Sequence, residues 1–127
     1  MNSMRTAINA AALAPAQIAA PMAGEQSFCF DAEFVGFSGH FPEYPILPAV
    51  LQVLLAQILA ETVIGSTLSV LALNRAKFMQ QVRPGDQIDV RVTCREKNCE
   101  LHCASELLVA EQRAASFTLV LKQETEL

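Results

Sequence analysis

The residues best able to do chemistry stand in one stretch, Phe37 to Gln57, which reads FSGHFPEYPILPAVLQVLLAQ. His40 is its natural proton acceptor, because an imidazole with an ordinary pKa of about 6.5 changes charge close to neutral pH. Pro42, Pro45 and Pro48 stiffen the chain around it and forbid regular structure until Pro48. The histidine is therefore presented by a rigid, irregular loop to whatever follows. A plainer role stays open, in which the ring bonds a nearby backbone carbonyl and only secures the loop. A second group of reactive side chains is Cys94, Cys99, His102 and Cys103. As soft ligands close together they would make a zinc set. Strand alternation, however, sends His102 to the face opposite Cys99, Leu101 and Cys103. Small buried strand residues, with no metal, are the expectation.

The elements that must position His40 follow from periodicity. The spacing predicts a helix from about Ala49 to Ile64, stopped by Gly65. Within it Val50, Leu51, Val53, Leu54, Leu55, Ile58 and Leu59 surround nearly the whole circumference, interrupted only by Gln52, Gln57 and Glu61. Ahead of the loop, Glu25 to Phe34 alternates with Phe28 and Phe30 on one side, a half-buried strand. Behind the helix, four more strands are expected over 67–79, 87–96, 100–110 and 114–122, the first bent near Asn74 to Lys77. A Pro84-Gly85 turn, a short hairpin turn at Lys97-Asn98 and the polar Glu111 to Arg113 connect them. The fold class is α+β: an antiparallel sheet of about five strands wrapped around one long central helix. A single curved sheet cannot cover a helix that is apolar all round, so the remaining face or the sheet edge should meet a second copy. Residues 25–127 form the one domain. Residues 1–24 read as a lightly packed, partly helical lead-in, too alanine-rich and too broken by Pro15 for a secretory core.

The totals narrow the partners. A chain of 127 residues supports one core. Its hydrophobic fraction of 52%, glycine not counted, is high enough to suggest an interface. No apolar run reaches the roughly 18 residues of a membrane span. A net charge of -4, with nine Lys and Arg and no basic run, argues against nucleic acid. Four cysteines without a CxxC pair read as reduced thiols in a cytoplasmic protein.

The pattern F-S-G-H-F-P-x-x-P-I-x-P-x-V-L from Phe37 to Leu51 resembles the signature of the 3-hydroxyacyl-(acyl-carrier-protein) dehydratases, which adopt the hotdog fold. Lys77-Phe78 and Val82-Arg83-Pro84-Gly85-Asp86 are similar to that family's downstream strand and turn, and the resemblance covers about residues 25 to 123. Gln52 resembles the continuation of the motif in the aryl polyene type branch. The resemblance implies dehydration of a 3-hydroxyacyl thioester, on acyl carrier protein or coenzyme A, to the trans-2-enoyl thioester without cofactor. It implies His40 as base, and the free N–H groups of Ala49 and Val50 at the helix start as donors to the thioester oxygen. The family's acid stands fourteen residues after the histidine; here that position is Leu54, which has no proton to give. Two family glycines are Glu43 and Ala49. Glu43 and Gln57 are the leading substitutes for acid or hydroxyl-orienting group, ahead of Tyr44 and Glu61. Lys77, Arg75 and Arg83 suit a carrier phosphate or serve as solvated strand-end charges.

Three functions compete. The chain is a working dehydratase, or it is an incomplete subunit whose acid comes from a hetero-partner rather than a second copy. The third option is an acyl thioesterase, against which Leu54 also tells, since water activation wants a carboxylate near the helix, or a pure acyl-binding protein, which Leu54 leaves open.

Overall fold

The computed structural model describes residues 3–37 and 45–124. Helix α2 spans Ala49–Ile64, the limits its apolar run demands. Gly65 stops it with φ 87 and ψ 23, a left-handed cap in which its N–H donates to the Glu61 carbonyl. Leu55, Ala56, Leu59 and Ala60 on its inner side are fully buried. Each such leucine contributes about 1.5–3 kcal/mol through burial.

Six strands form one antiparallel sheet around that helix: β1 (Gln17–Ala19), β2 (Ala23–Cys29), β3 (Leu68–Phe78), β4 (Gln87–Lys97), β5 (Glu100–Val109) and β6 (Gln112–Gln123). The order across the sheet is β1-β2-β4-β5-β6-β3. Alternation sends Ile88, Val90, Val92 and Cys94 of β4, and Leu101, Cys103 and Leu107 of β5, onto the inner face. The expected bend in the first strand after the helix is a break in register between Asn74 and Lys77 of β3, with a second between Val70 and Ala72. Arg75 sits in that break with φ 56. Because β3 pairs only with β6, its other edge is open among the described residues.

Several details differ from expectation. The first predicted strand ends at Cys29, not Phe34: Asp31 caps a turn through its carboxylate, which accepts the Glu33 N–H at 2.9 Å. Phe34 instead packs against Phe30 with its ring tilted by 35° and ring centres 4.2 Å apart, and Phe37 packs edge-on against it in a 3-10 turn, Val35–Phe37. The β4–β5 turn is Asn98-Cys99, one residue later than predicted. Both residues have positive φ, as a two-residue hairpin loop requires. Strand β1 was not expected in an alanine-rich segment between Pro15 and Pro21. The chain before β1 contains helix α1 (Ser3–Ala10), whose Ile8 is fully buried in the core, and whose Arg5 forms an ion pair with Glu61 of α2. This packing is closer than a lightly packed lead-in.

Candidate active site

His40, Pro42, Glu43 and Tyr44 lie outside the described residues, so the site is built from what flanks them. On one side, Phe28, Phe30, Phe34 and Phe37 make an aromatic chain running from β2 into the 3-10 turn. Gly36 lets that turn sit on the helix start: a Cβ there would stand 2.5 Å from Leu51 Cδ1 and 2.3 Å from the Phe34 ring. On the other side, Leu47 is buried and held twice. Its N–H donates to the Val82 carbonyl at 2.8 Å, and its carbonyl accepts from Gln52 Nε2 at 3.0 Å. The Gly85 N–H donates to the Phe30 carbonyl at 2.8 Å. The two sequence motifs are thus one structural unit, with the Val82–Asp86 turn bracing the loop that enters α2.

Pro48 is the N-cap of α2, extended at φ -63 and ψ 152, rather than the first helical residue. Its side chain cannot cap, and its carbonyl accepts from Leu51 and Gln52. The N–H groups of Ala49 and Val50 have no acceptor among the described residues. Among the described residues, two donors at the positive end of a helix are therefore open to an oxygen that gains negative charge.

Beside them runs a groove of about 450 Å3 between α2 and β3, lined by Val50, Val53, Leu54, Val70, Leu73 and Phe78 together with Ala49, Leu51 and Gln57. No carboxylate lines it among the described residues. Leu54 faces it, in the helix position where the resemblance expects an acid. Gln57 also lines it, with Nε2 donating to the Leu68 carbonyl at 3.0 Å. Glu61 accepts the Leu68 N–H at 3.0 Å and pairs with Arg5. Gln57 and Glu61 together clamp the first residue of β3 to the helix.

The remaining candidates are dispersed. Arg75 and Lys77 border a shallow depression on the outer side of the sheet with Arg113, which is paired with Glu106. Arg83 is in the bracing turn, where the Asp86 carboxylate accepts its N–H. Cys99 is exposed in the hairpin turn rather than on a strand. Cys94 and Cys103 are buried, and His102 turns away from them with its Nε2 3.5 Å from Glu100.

Gln52, read in the sequence as an interruption of the apolar helix and a mark of the branch but given no role at the site, is 3% exposed and is the helix's link to the loop. The available signal was a polar residue on the inner side of an otherwise apolar helix. Its Oε1 has no hydrogen-bond partner among the described residues.

Comparison with known proteins fits this arrangement. The model of the ApeI-like family, described as ApeI dehydratase, matches residues 21–118. The chain belongs to the ApeI-like dehydratase family. A 3-hydroxyacyl-[acyl-carrier-protein] dehydratase FabZ of Rickettsia massiliae is 32% identical over 99 residues, covering 69% of this chain and 68% of the relative. The FabZ of Oceanobacillus iheyensis is 35% identical over 66 residues, covering 44% and 45%. Among solved structures, the dehydratase heterocomplex ApeI:P from Xenorhabdus doucetiae superposes with a TM-score of 0.74 at 23% identity, covering 88% of this chain and 96% of that one. An uncharacterized protein from Erwinia carotovora subsp. atroseptica gives 0.70 at 22% identity, covering 91% and 97%. The wrapped helix and six-stranded sheet are the hotdog fold of this dehydratase family, as the motif in Phe37 to Leu51 implied.

Proposed function

We propose that the chain dehydrates a 3-hydroxyacyl thioester, carried on acyl carrier protein or coenzyme A, to the trans-2-enoyl thioester. The observation that carries this reading is the pair of N–H groups, Ala49 and Val50, that have no acceptor among the described residues and lie at the rim of an apolar groove directly after the His40 motif. A thioester α-proton is only moderately acidic, and charge moves to the carbonyl oxygen as the proton leaves. Donors already aimed at that oxygen stabilise the charge without reorganising. In the proposed reaction His40 takes the α-proton, the C–O bond to the 3-hydroxyl breaks, the C–C double bond forms, and the hydroxyl leaves as water after receiving a proton. His40 returns that proton itself, with the Gln57 amide donating to the departing hydroxyl and the Glu43 carboxylate accepting from it. The groove accommodates the apolar acyl chain, and Arg75 and Lys77 suit the phosphate of the carrier. No cofactor takes part.

The test is hydration of a short trans-2-enoyl thioester by the purified chain. His40→Ala should lower the rate by roughly 10²–10⁴-fold, the usual worth of a positioned acid–base group. An unchanged rate would overturn the reading.

One observation favours a second reading. With Leu54 in the groove and no carboxylate among its described lining residues, the missing acid suits a different hotdog chain seated on the same face. Val50 is 72% exposed there, and Val70, Leu73 and Phe78 are also exposed, beside the open edge of β3. An apolar face of this kind fits a second hotdog chain, either another copy or a relative bearing the acid. Under this reading the chain alone is inactive, and activity appears on mixing with a partner that has Glu or Asp at the position of Leu54. Full activity as a homodimer would exclude it.

A further inference from the structure

We propose that Cys94 and Cys103 form an oxidisable pair that closes into a cross-strand disulfide within the folded protein. The two are directly opposite in the β4–β5 ladder. The two-residue turn fixes how that ladder alternates: Lys97 and Glu100 close the hairpin as a hydrogen-bonded pair, so Glu96–Leu101 is not hydrogen-bonded, Arg95–His102 is, and Cys94–Cys103 is not. Non-hydrogen-bonded partners have Cα atoms roughly 4.5 Å apart, inside the range of about 4.4–6.8 Å that a disulfide spans. Both side chains point to the inner face. Interaction between the two neighbouring thiols holds Cys94 below its ordinary pKa and, with burial, pushes Cys103 far above its own.

Cys94, at 6% exposure against 0% for Cys103, is the sulfur an oxidant reaches first. A cavity of about 470 Å3 lined by Met22, Glu96, Cys99 and Leu101 brings solvent to residues flanking the pair. With a low-molecular-weight disulfide as oxidant, the Cys94 thiolate attacks one of its sulfurs, releasing one small thiol and leaving a mixed disulfide. Cys103, giving up its proton, then attacks the Cys94 sulfur and releases the second small thiol. The protein loses two electrons and two protons, and the small disulfide gains them. The product staples β4 to β5 in the middle of the sheet. Neither cysteine lines the groove beside α2, so the inference is independent of the proposed reaction.

The test uses the full, reduced, folded chain incubated with oxidised glutathione, alkylated and mapped by mass spectrometry. The expected product is about 2 Da lighter before alkylation, has a Cys94–Cys103 cross-link, and returns to the dithiol with dithiothreitol. Its melting temperature should rise by several degrees. The Cys29→Ser/Cys99→Ser double variant should give the same cross-link. Two outcomes would overturn the proposal: Cys94 and Cys103 staying alkylatable after Cys99 has been modified, or a cross-link that runs through Cys99 or between two chains.

Discussion

At position 54 the side chain has no proton to give, and that single residue decides what must be asked of the rest of the site. In the proposed reaction a carboxyl group on this face of α2 would assist departure of the hydroxyl. Leu54→Glu should therefore raise the enoyl hydration rate of the homodimer about tenfold or more, an effect well within that of one general acid. An unchanged rate in a folded variant would show that position 54 does not face the reacting hydroxyl. Gln52 matters for a different reason. Its Nε2 satisfies the carbonyl of buried Leu47, so Gln52→Ala leaves that carbonyl unpaired and opens a hole at the helix start. The expected loss is about 1–3 kcal/mol, read as a lower denaturation midpoint with an unchanged denaturant slope. The sequence motif singled out His40 and Leu54 by spacing; Leu54 does line the groove, while His40 lies outside the described residues. The Gln52–Leu47 bond was not legible in the sequence, since it depends on how the loop folds back over the first turn of α2.

Among the elements, the central helix was the most legible. An apolar run bounded by Pro48 and Gly65 permits little else, and α2 begins and ends where those residues require. Short pieces held by tertiary contacts were not legible: β1 has three exposed residues and exists because β2 pairs with it. The end of β2 was missed for a related reason, since the tilted ring contact of Phe34 with Phe30 outweighs an alternating pattern. The closeness of β2 to α2 makes a clear prediction. A Cβ on Gly24 would stand 2.6 Å from Val63 Cγ2 and 3.2 Å from the Gln17 carbonyl. Gly24→Ala should thus destabilise the protein by about 1–3 kcal/mol through overpacking, seen as a drop in melting temperature. Gly24→Ala melting at the wild-type temperature would mean that α2 and β2 are further apart than described.

For the whole molecule, the sequence foretold that one sheet could not cover an all-apolar helix, and the uncovered part is the groove face of α2 with β3. The sequence expected a second copy on such a face, and an apolar surface alone does not distinguish a copy from a relative. If a second hotdog chain seats there, Val50→Asp combined with Phe78→Asp puts two charges into the buried interface and should shift the protein to monomer in sedimentation velocity. A wild-type protein already monomeric at high concentration would contradict that docking. The account as a whole rests on His40 acting as the base while the Ala49 and Val50 N–H groups receive the charge on the thioester oxygen. It is tested most directly by the rate of trans-2-enoyl thioester hydration, for the chain alone and mixed with an acid-bearing hotdog partner, in wild type and in His40→Ala. The account predicts turnover in at least one of these wild-type states and its loss, by roughly 10²-fold or more, in the variant. Turnover that survives His40→Ala, or enoyl thioester left unchanged by the wild type in both states, would contradict it.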